Sequence, residues 1–461
     1  MAEKENTRLL ALEILLEAEK KNIFVKDALH KQLFQKQFLS KQDRAFVTRL
    51  VEGVTEYQVR LDYVIDSYST KKIDKCKPLI RCVLRMGVYQ MLYMDSVPDE
   101  AACNECVRLA KKKGFHNLAG FVNGVLRNVE RHVQDIRFPE EQEDLAGYLS
   151  ITYSMPLWIV KKMLVWHGEE KTRKMLKASL EVTDLTVRVN EEKISVKELM
   201  EKLTAHGIEV KEGYYVKDAL HLNKINYVNR IPGFKQGEFF VQDESSMLLY
   251  LAGGAIHELE KTDKQELKIL DLCAAPGGKC THFAQKMGGS ALVEARDVSE
   301  KKVSLIEENR KRLGLDHMKT VIWDALVPDT TRKDWADIVI ADLPCSGFGI
   351  ISKKNDIKYH IKETQLTELA NLQRTILTNA ASYVKPGGVL LYSTCTVNPE
   401  ENTENAKWFL DHFPFEKEQM VQLMPEALKE FVVDGYMMQL LPGETACDGF
   451  FIAKFRKKKE I

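Results

Sequence analysis

Two cysteines lie where a thiol could react. Cys345 follows a proline in ADLPCSGFG, and Cys395 sits between two threonines in YSTCT. Each comes directly after an apolar run, DIVIAD (337–342) and VLLYS (389–393), that reads as a buried strand. Acids recur at comparable points: Asp271 near the end of KILDL (268–272), Asp297 just after ALVEA (291–295), Asp324 ending TVIWD (320–324) and Asp342 ending DIVIAD. The first strand runs into DLCAAPGGKC, so Cys273, Ala274, Ala275, Pro276, Gly277, Gly278 and Lys279 form a loop of small residues. This loop has neither the GxGxxG of a dinucleotide site nor the GxxxxGKS/T of a phosphate loop, which argues against a pyrophosphate ligand. Small residues still admit a ligand close to the backbone, and an acid on the following strand is placed to bind ribose hydroxyls. A nucleoside lacking a phosphate chain fits, and S-adenosyl-L-methionine is the expected cofactor. Two thiols beside a methyl donor point to a substrate that needs covalent activation. Carbon 5 of cytosine is such a substrate, because it becomes nucleophilic only after a thiolate adds to carbon 6; a second group must then help remove the carbon-5 proton.

These residues need a scaffold that brings strand ends together. From residue 236 onward, strands and helices alternate as in a doubly wound parallel sheet, whose ligands bind outside the carboxyl ends of the strands. Ser299 is placed to cap a helix that Gly314 ends, and NPEE (398–401) predicts a helix start with an asparagine cap and a glutamate three residues on. MMQLL and FFIAKF flank PGETACDG and predict an antiparallel hairpin. Residues 7–130 read as helix throughout. In PLIRCVLRMGVYQMLYM the apolar Ile80, Val83, Leu84, Val88, Met91 and Leu92 recur at spacings of three and four, the pattern of a buried bundle helix. The expected divisions are 1–130 helical, 131–150 linker, 151–235 a small α+β module and 236–461 the α/β domain.

At 461 residues the chain is long enough for two or three domains. Its hydrophobic content of 44% and charged content of 29% are those of a globular protein. No apolar run reaches the roughly 18 residues of a membrane span, and the N-terminus is charged where a signal peptide would be apolar; a cytoplasmic protein is expected. The nine cysteines are an odd number and widely scattered, which favours free thiols over a disulfide framework. Cys103 and Cys106 form a lone CxxC with no second pair, and read as two small apolar residues on one helix face; no metal is expected. The net charge is zero, but residues 1–130 hold 22 basic and 17 acidic residues, an excess of five positive charges.

DLCAAPGGKCTH, ADLPCSGFG, YSTCTVNPEEN and the terminal DGFFIAKF resemble, in order and spacing, the bacterial RNA 5-methylcytosine methyltransferases. LSKQDRAFVTRLVEGV and LRMGVYQMLYMD are similar to the NusB fold, and the combination resembles the small-subunit rRNA cytosine methyltransferase B subfamily. The resemblance implies three parts: an all-α NusB-like bundle, a small α+β module and an α/β class I Rossmann-like methyltransferase domain. It makes Cys395 the nucleophile and Cys345 the residue assisting proton removal and release. It also implies that Cys273 to Lys279, Asp297, Asp324 and Asp342 contact S-adenosyl-L-methionine, with Asp342 near the target base too. The implied substrate is 16S rRNA. Cys280 departs from the family, which usually has threonine after the loop lysine. Such a substrate makes Lys111–Lys113 and Lys353, Lys354 and Lys358 candidates for gripping RNA. The competing readings are a tRNA or 23S rRNA cytosine methyltransferase and, in a different class, a non-catalytic RNA-binding or antitermination factor.

Overall fold

A computed structural model describes residues 6–36, 38–223, 225, 227–261 and 265–459. The chain forms two compact units, Met1–Glu181 with Ile351–Glu363, and Val182–Ile350 with Thr364–Ile461. The division falls at 181/182, and the short segment 351–363 returns to the first unit.

The first unit is helical. Its first helix, Thr7–Lys21, is capped by the Asn6 side chain accepting from the Leu9 N–H, and ends at Asn22 in the left-handed region. Pro78–Tyr93 starts with proline in its first turn, where the missing N–H costs nothing, and buries Ile80, Val83, Leu84 and Val88. Cys103 and Cys106 lie on helix Asp99–Lys112, both fully buried in the bundle core. Within the stretch expected as a linker, a helix begins at Leu145. The helical run Leu157–Ala178 is two helices that meet at Gly168, whose φ of 74° and ψ of 175° are not helical.

Residues 351–363 pack in this unit. The Asp356 carboxylate accepts from the Val25 N–H at 2.6 Å, and Lys358 Nζ donates to the Glu56 and Ser154 carbonyls at 2.9 and 2.7 Å. Lys358 is thus an interior residue, 1% exposed, and not the RNA-gripping surface cation expected from its sequence neighbours. Burial lowers its pKa to about 7. Two backbone carbonyls stabilise the ammonium there in place of water.

The second unit holds two sheets. The smaller comprises β1 (Leu185–Val189), β2 (Glu209–Glu212), β3 (Ala219–Asn223) and β4 (Phe239–Val241), antiparallel in the order β2-β3-β1-β4. Helix Val196–Ala205 starts with a capping box between Ser195 and Glu198 and buries Leu199 and Leu203 with Val187, Leu220 and Phe239.

The larger sheet comprises β5 (Leu267–Asp271), β6 (Ala291–Asp297), β7 (Met318–Ile322), β8 (Ala336–Asp342), β9 (Val384–Thr394), β10 (Phe415–Lys417), β11 (Val432–Val433), β12 (Met437–Leu440) and β13 (Phe450–Lys457). Its order is β11-β12-β13-β9-β8-β5-β6-β7, with β10 also on β13. Strands β5 to β9 are parallel, whereas β13 runs antiparallel to β9. Successive residues alternate between two cores: Ile269, Ile338, Ile340 and Leu391 on one face, Leu270, Val339, Ala341 and Leu390 on the other. That is why these strands read as continuous apolar runs. The order reverses between β5 and β8, so the carboxyl ends of β5, β8 and β9 open onto one crevice.

Ser299 and Gly314 cap helix Glu300–Leu313 as expected. The helix after β9 does not start at Asn398. It spans Thr403–His412, preceded by Asn402, because Asn398 and Glu401 spend their side chains on a buried network.

Candidate active site

The loop after β5 turns tightly against the next strand. The Ala274 N–H donates to the Arg296 carbonyl at 2.8 Å, the Ala275 N–H to Asp297 Oδ2 at 3.0 Å, and the Gly277 N–H to the Ala274 carbonyl at 2.7 Å. Pro276 is exposed, and its carbonyl accepts from Asn309 Nδ2 at 3.0 Å. Gly277 has a φ of 109°, so a side chain there is strained. Gly278 is different: a Cβ would meet Phe240 and Gln242 only at 3.5–3.6 Å, an ordinary contact, so the fold itself does not require glycine there. Helix Gly278–Met287 follows, and Cys280, buried where the resembled family has threonine, donates its thiol to the Gly277 carbonyl at 3.4 Å.

A residue the sequence reading missed holds this loop from below. Arg188, on β1 and 1% exposed, donates from Nη1 to the Gly278 carbonyl at 2.9 Å, from Nη2 to Thr281 Oγ1 at 3.0 Å and from Nε to Gln285 Oε1 at 3.1 Å. Burial lowers its pKa to about 9. An arginine in an alternating strand carries no sequence signal for such a role.

At the strand ends the charges cluster. Lys279 Nζ lies 2.6 Å from Asp342 Oδ2 and 5.2 Å from the Phe450 ring centroid. Burial disfavours the Lys279 charge, but the Asp342 carboxylate outweighs it and raises its pKa. Asp342 also accepts from Ser393 Oγ at 2.8 Å. Asp271 is fully buried, and neither carboxylate oxygen meets a hydrogen-bond partner of good geometry among the described residues. Burial, then the nearby Asp342 charge, pushes its pKa up to about 7. Asp297 accepts from the Ala275 N–H at 3.0 Å, the Val298 N–H at 2.8 Å and Lys302 Nζ at 3.1 Å. Asp324 stands two residues beyond β7 and accepts from its own turn, the Leu326 N–H, at 3.0 Å. Cys273 is half-buried, and burial followed by the surrounding carboxylates raises its pKa.

The two reactive-looking thiols meet: Cys345 Sγ and Cys395 Sγ are 3.4 Å apart. The hydrogen bond to Cys395, reinforced by burial, holds the Cys345 pKa well above the usual thiol value. The Lys279 ammonium and Cys395 lie close enough to interact electrostatically. The Gly349 N–H donates to the Cys395 carbonyl at 3.0 Å and the Gly449 N–H to the Gly349 carbonyl at 2.9 Å, tying three loops together. Ser346, Gln373 and Glu401 brace them from beneath. Glu401, expected to serve a helix start, is instead a buried acceptor for the Ser346 N–H and Gln373.

The strand order, the glycine loop at the switch point and the strand-end acids define a Rossmann-like class I methyltransferase domain, here joined to a helical bundle and a small antiparallel module. Sequence profiles match each part: "16S rRNA methyltransferase RsmB/F" over residues 257–456, the NusB family over 5–131, and the RsmF/B-like ferredoxin-like domain over 155–229. The probable ribosomal RNA small subunit methyltransferase B of Bacillus subtilis is 37% identical over 99% of both chains. Ribosomal RNA small subunit methyltransferase B of Cronobacter sakazakii is 32% identical over 91% of this chain and 92% of its own. The chain belongs to the ribosomal RNA small subunit methyltransferase B family. Among solved structures, PH0851 superposes with a TM-score of 0.80 over 99% of this chain and 100% of its own at 23% identity, a likeness of fold. Among the described residues, no helix is long and apolar enough to cross a membrane, and no cluster of His, Cys, Asp and Glu could hold a metal ion.

Proposed function

We propose that this chain uses S-adenosyl-L-methionine to methylate carbon 5 of a cytosine in 16S rRNA through a covalent bond between Cys395 and the base. The observation carrying this reading is the 3.4 Å approach of Cys345 and Cys395 at the ends of adjacent parallel strands, beside Lys279 and Asp342. Family membership and the names of the relatives support rRNA as the substrate class.

The residues present fit the cofactor. Asp271 offers a buried carboxyl that, among the described residues, has no hydrogen-bond partner of good geometry and suits an ammonium group. Asp297 retains acceptor capacity for ribose hydroxyls beyond its three present donors. Cys273 to Lys279 would line the site, with Asp324 and Asp342 at its flanks. When bound, the cofactor supplies an electrophilic methyl group.

The chain's own groups do the rest. Cys395 Sγ adds to carbon 6 of the cytosine, which moves electron density onto carbon 5. After carbon 5 is alkylated, Cys345, once its own proton has passed to solvent, takes the carbon-5 proton. The freed electron pair restores the 5,6 double bond and expels the Cys395 thiolate. A base within structured RNA must leave its stack to reach these strand ends. A purely RNA-binding factor would have no use for two thiols in contact. Bisulfite mapping of RNA from cells with and without the protein tests the reading: one 16S cytosine mark should vanish. Unchanged 16S marks with a loss in tRNA or 23S rRNA would transfer the activity to those substrates.

A further inference from the structure

Both thiols are followed by a hydroxyl residue, Ser346 after Cys345 and Thr396 after Cys395, and these hydroxyls lie 2.7 Å apart. Beneath them sits Glu401, fully buried. Its Oε2 accepts from the Ser346 N–H and from Gln373 Nε2, both at 2.9 Å; its Oε1 accepts from Ser346 Oγ and, at 3.0 Å, from Asn398 Nδ2. Gln373 Nε2 also donates to the Pro344 carbonyl at 2.9 Å, so the residues on both sides of Cys345 are held by one assembly. Ser346 has a single hydroxyl proton and gives it to Glu401, which makes Thr396 the donor to Ser346. The direction of the chain from Thr396 through Ser346 to the carboxylate is therefore fixed by the acceptor at its end.

We infer that Glu401 is a positioning residue that sets Cys345 against Cys395 through the Ser346–Thr396 hydroxyl pair. This rests on the two-thiol reading above and deepens it. Glu401 bonds directly to the backbone beside Cys345 and reaches the Cys395 loop only through hydroxyls. Its loss should therefore impair the Cys345 step, proton removal and release, more than the attack by Cys395. A glutamine at 401 has no place for its amide: either oxygen it replaces faces two donors. Gln373 cannot turn over to help, since its Oε1 already accepts from Asn405 Nδ2 at 2.9 Å.

The test uses full-length protein, unmodified 16S rRNA transcribed in vitro and methyl-labelled S-adenosylmethionine. Turnover and the denaturation-resistant protein–RNA adduct are measured in wild type, Glu401→Gln, Ser346→Ala and Cys345→Ala. Turnover of Glu401→Gln should fall about tenfold or more, a misplacement effect, while the single-turnover rate of adduct formation changes by less than about threefold. The adduct fraction should therefore rise toward that of Cys345→Ala. Ser346→Ala, which removes only the hydroxyl bridge, should shift the adduct fraction in the same direction, and it carries the test if Glu401→Gln does not fold. Equal slowing of attack and release, or unchanged turnover in both variants, would overturn the assignment. Adduct in Cys345→Ala with no rise in the other two would overturn it while leaving the two-thiol reading standing. Absence of adduct from every protein, Cys345→Ala included, would overturn both.

Discussion

At the scale of single residues, the proposed mechanism gives the two thiols different tasks, attack to Cys395 and help with proton removal to Cys345. Cys395→Ala should bind RNA yet give neither product nor adduct, whereas Cys345→Ala should accumulate a methylated protein–RNA adduct; denaturing electrophoresis with labelled cofactor reads both. Asp271 gives a pH prediction. Its pKa is raised from the ordinary carboxylate range to about 7, so its contribution to stability is present below about pH 4 and is lost as pH rises toward 7. Asp271→Asn removes that penalty: its melting temperature relative to wild type, without cofactor, should be higher at pH 8 than at pH 5. Cofactor binding has the opposite sign, because an ammonium needs the carboxylate. Wild-type affinity should rise by about tenfold per pH unit up to about pH 7 and then level off, and Asp271→Asn should bind weakly with no such slope; titration calorimetry across pH checks this.

At the scale of elements, the site depends on strands and loops that are far apart in sequence. Arg188 on β1 anchors the first turn of the helix after the glycine loop by its bond to the Gly278 carbonyl. Removing it leaves Gly278 O, Thr281 and Gln285 short of a charged donor, each worth about 1.5–3 kcal/mol. Arg188→Met should lower the melting temperature and weaken cofactor binding, measured by calorimetry, while leaving the Cys345–Cys395 chemistry in the bound state unchanged. Gly349 marks a closer junction. A Cβ there would fall 2.2 Å from the Gly449 carbonyl oxygen and 2.8 Å from that of Cys395, all backbone that cannot swing aside. Gly349→Ala should destabilise by about 1–3 kcal/mol in urea unfolding and slow adduct formation at Cys395.

At the scale of the whole molecule, the chain passes between its two units at 181/182, 350/351 and 363/364, and the last two passages bracket a segment that begins six residues after Cys345. That segment is held by groups of the helical unit, among them Val25 and Glu56. Deleting residues 1–130 removes these partners and exposes Lys358. Limited trypsin digestion should then cut at Lys358, which is protected in the intact protein. The same deletion should weaken RNA binding and flatten its salt dependence if the basic excess of this region contacts phosphates.

The sequence alone determined the class of fold, because strands buried on both faces must read as continuous apolar runs and bundle helices must repeat at three and four. It also marked the glycine loop, the strand-end acids and the two thiols, since each follows directly from its strand. Only tertiary structure decided which groups serve them from a distance. Glu401, read as the third residue of a helix, turned out to be a buried acceptor because the helix starts later, at Thr403. Arg188 and Gln373 gained their roles from partners about 90 and 30 residues away, a relation no local periodicity encodes. Lys358 shows the converse: among neighbouring lysines it looks solvated, and burial against the helical unit overrides that appearance. Local pattern is fixed by the backbone's own periods; the pairing of polar groups across the chain is fixed only when packing excludes water from between them.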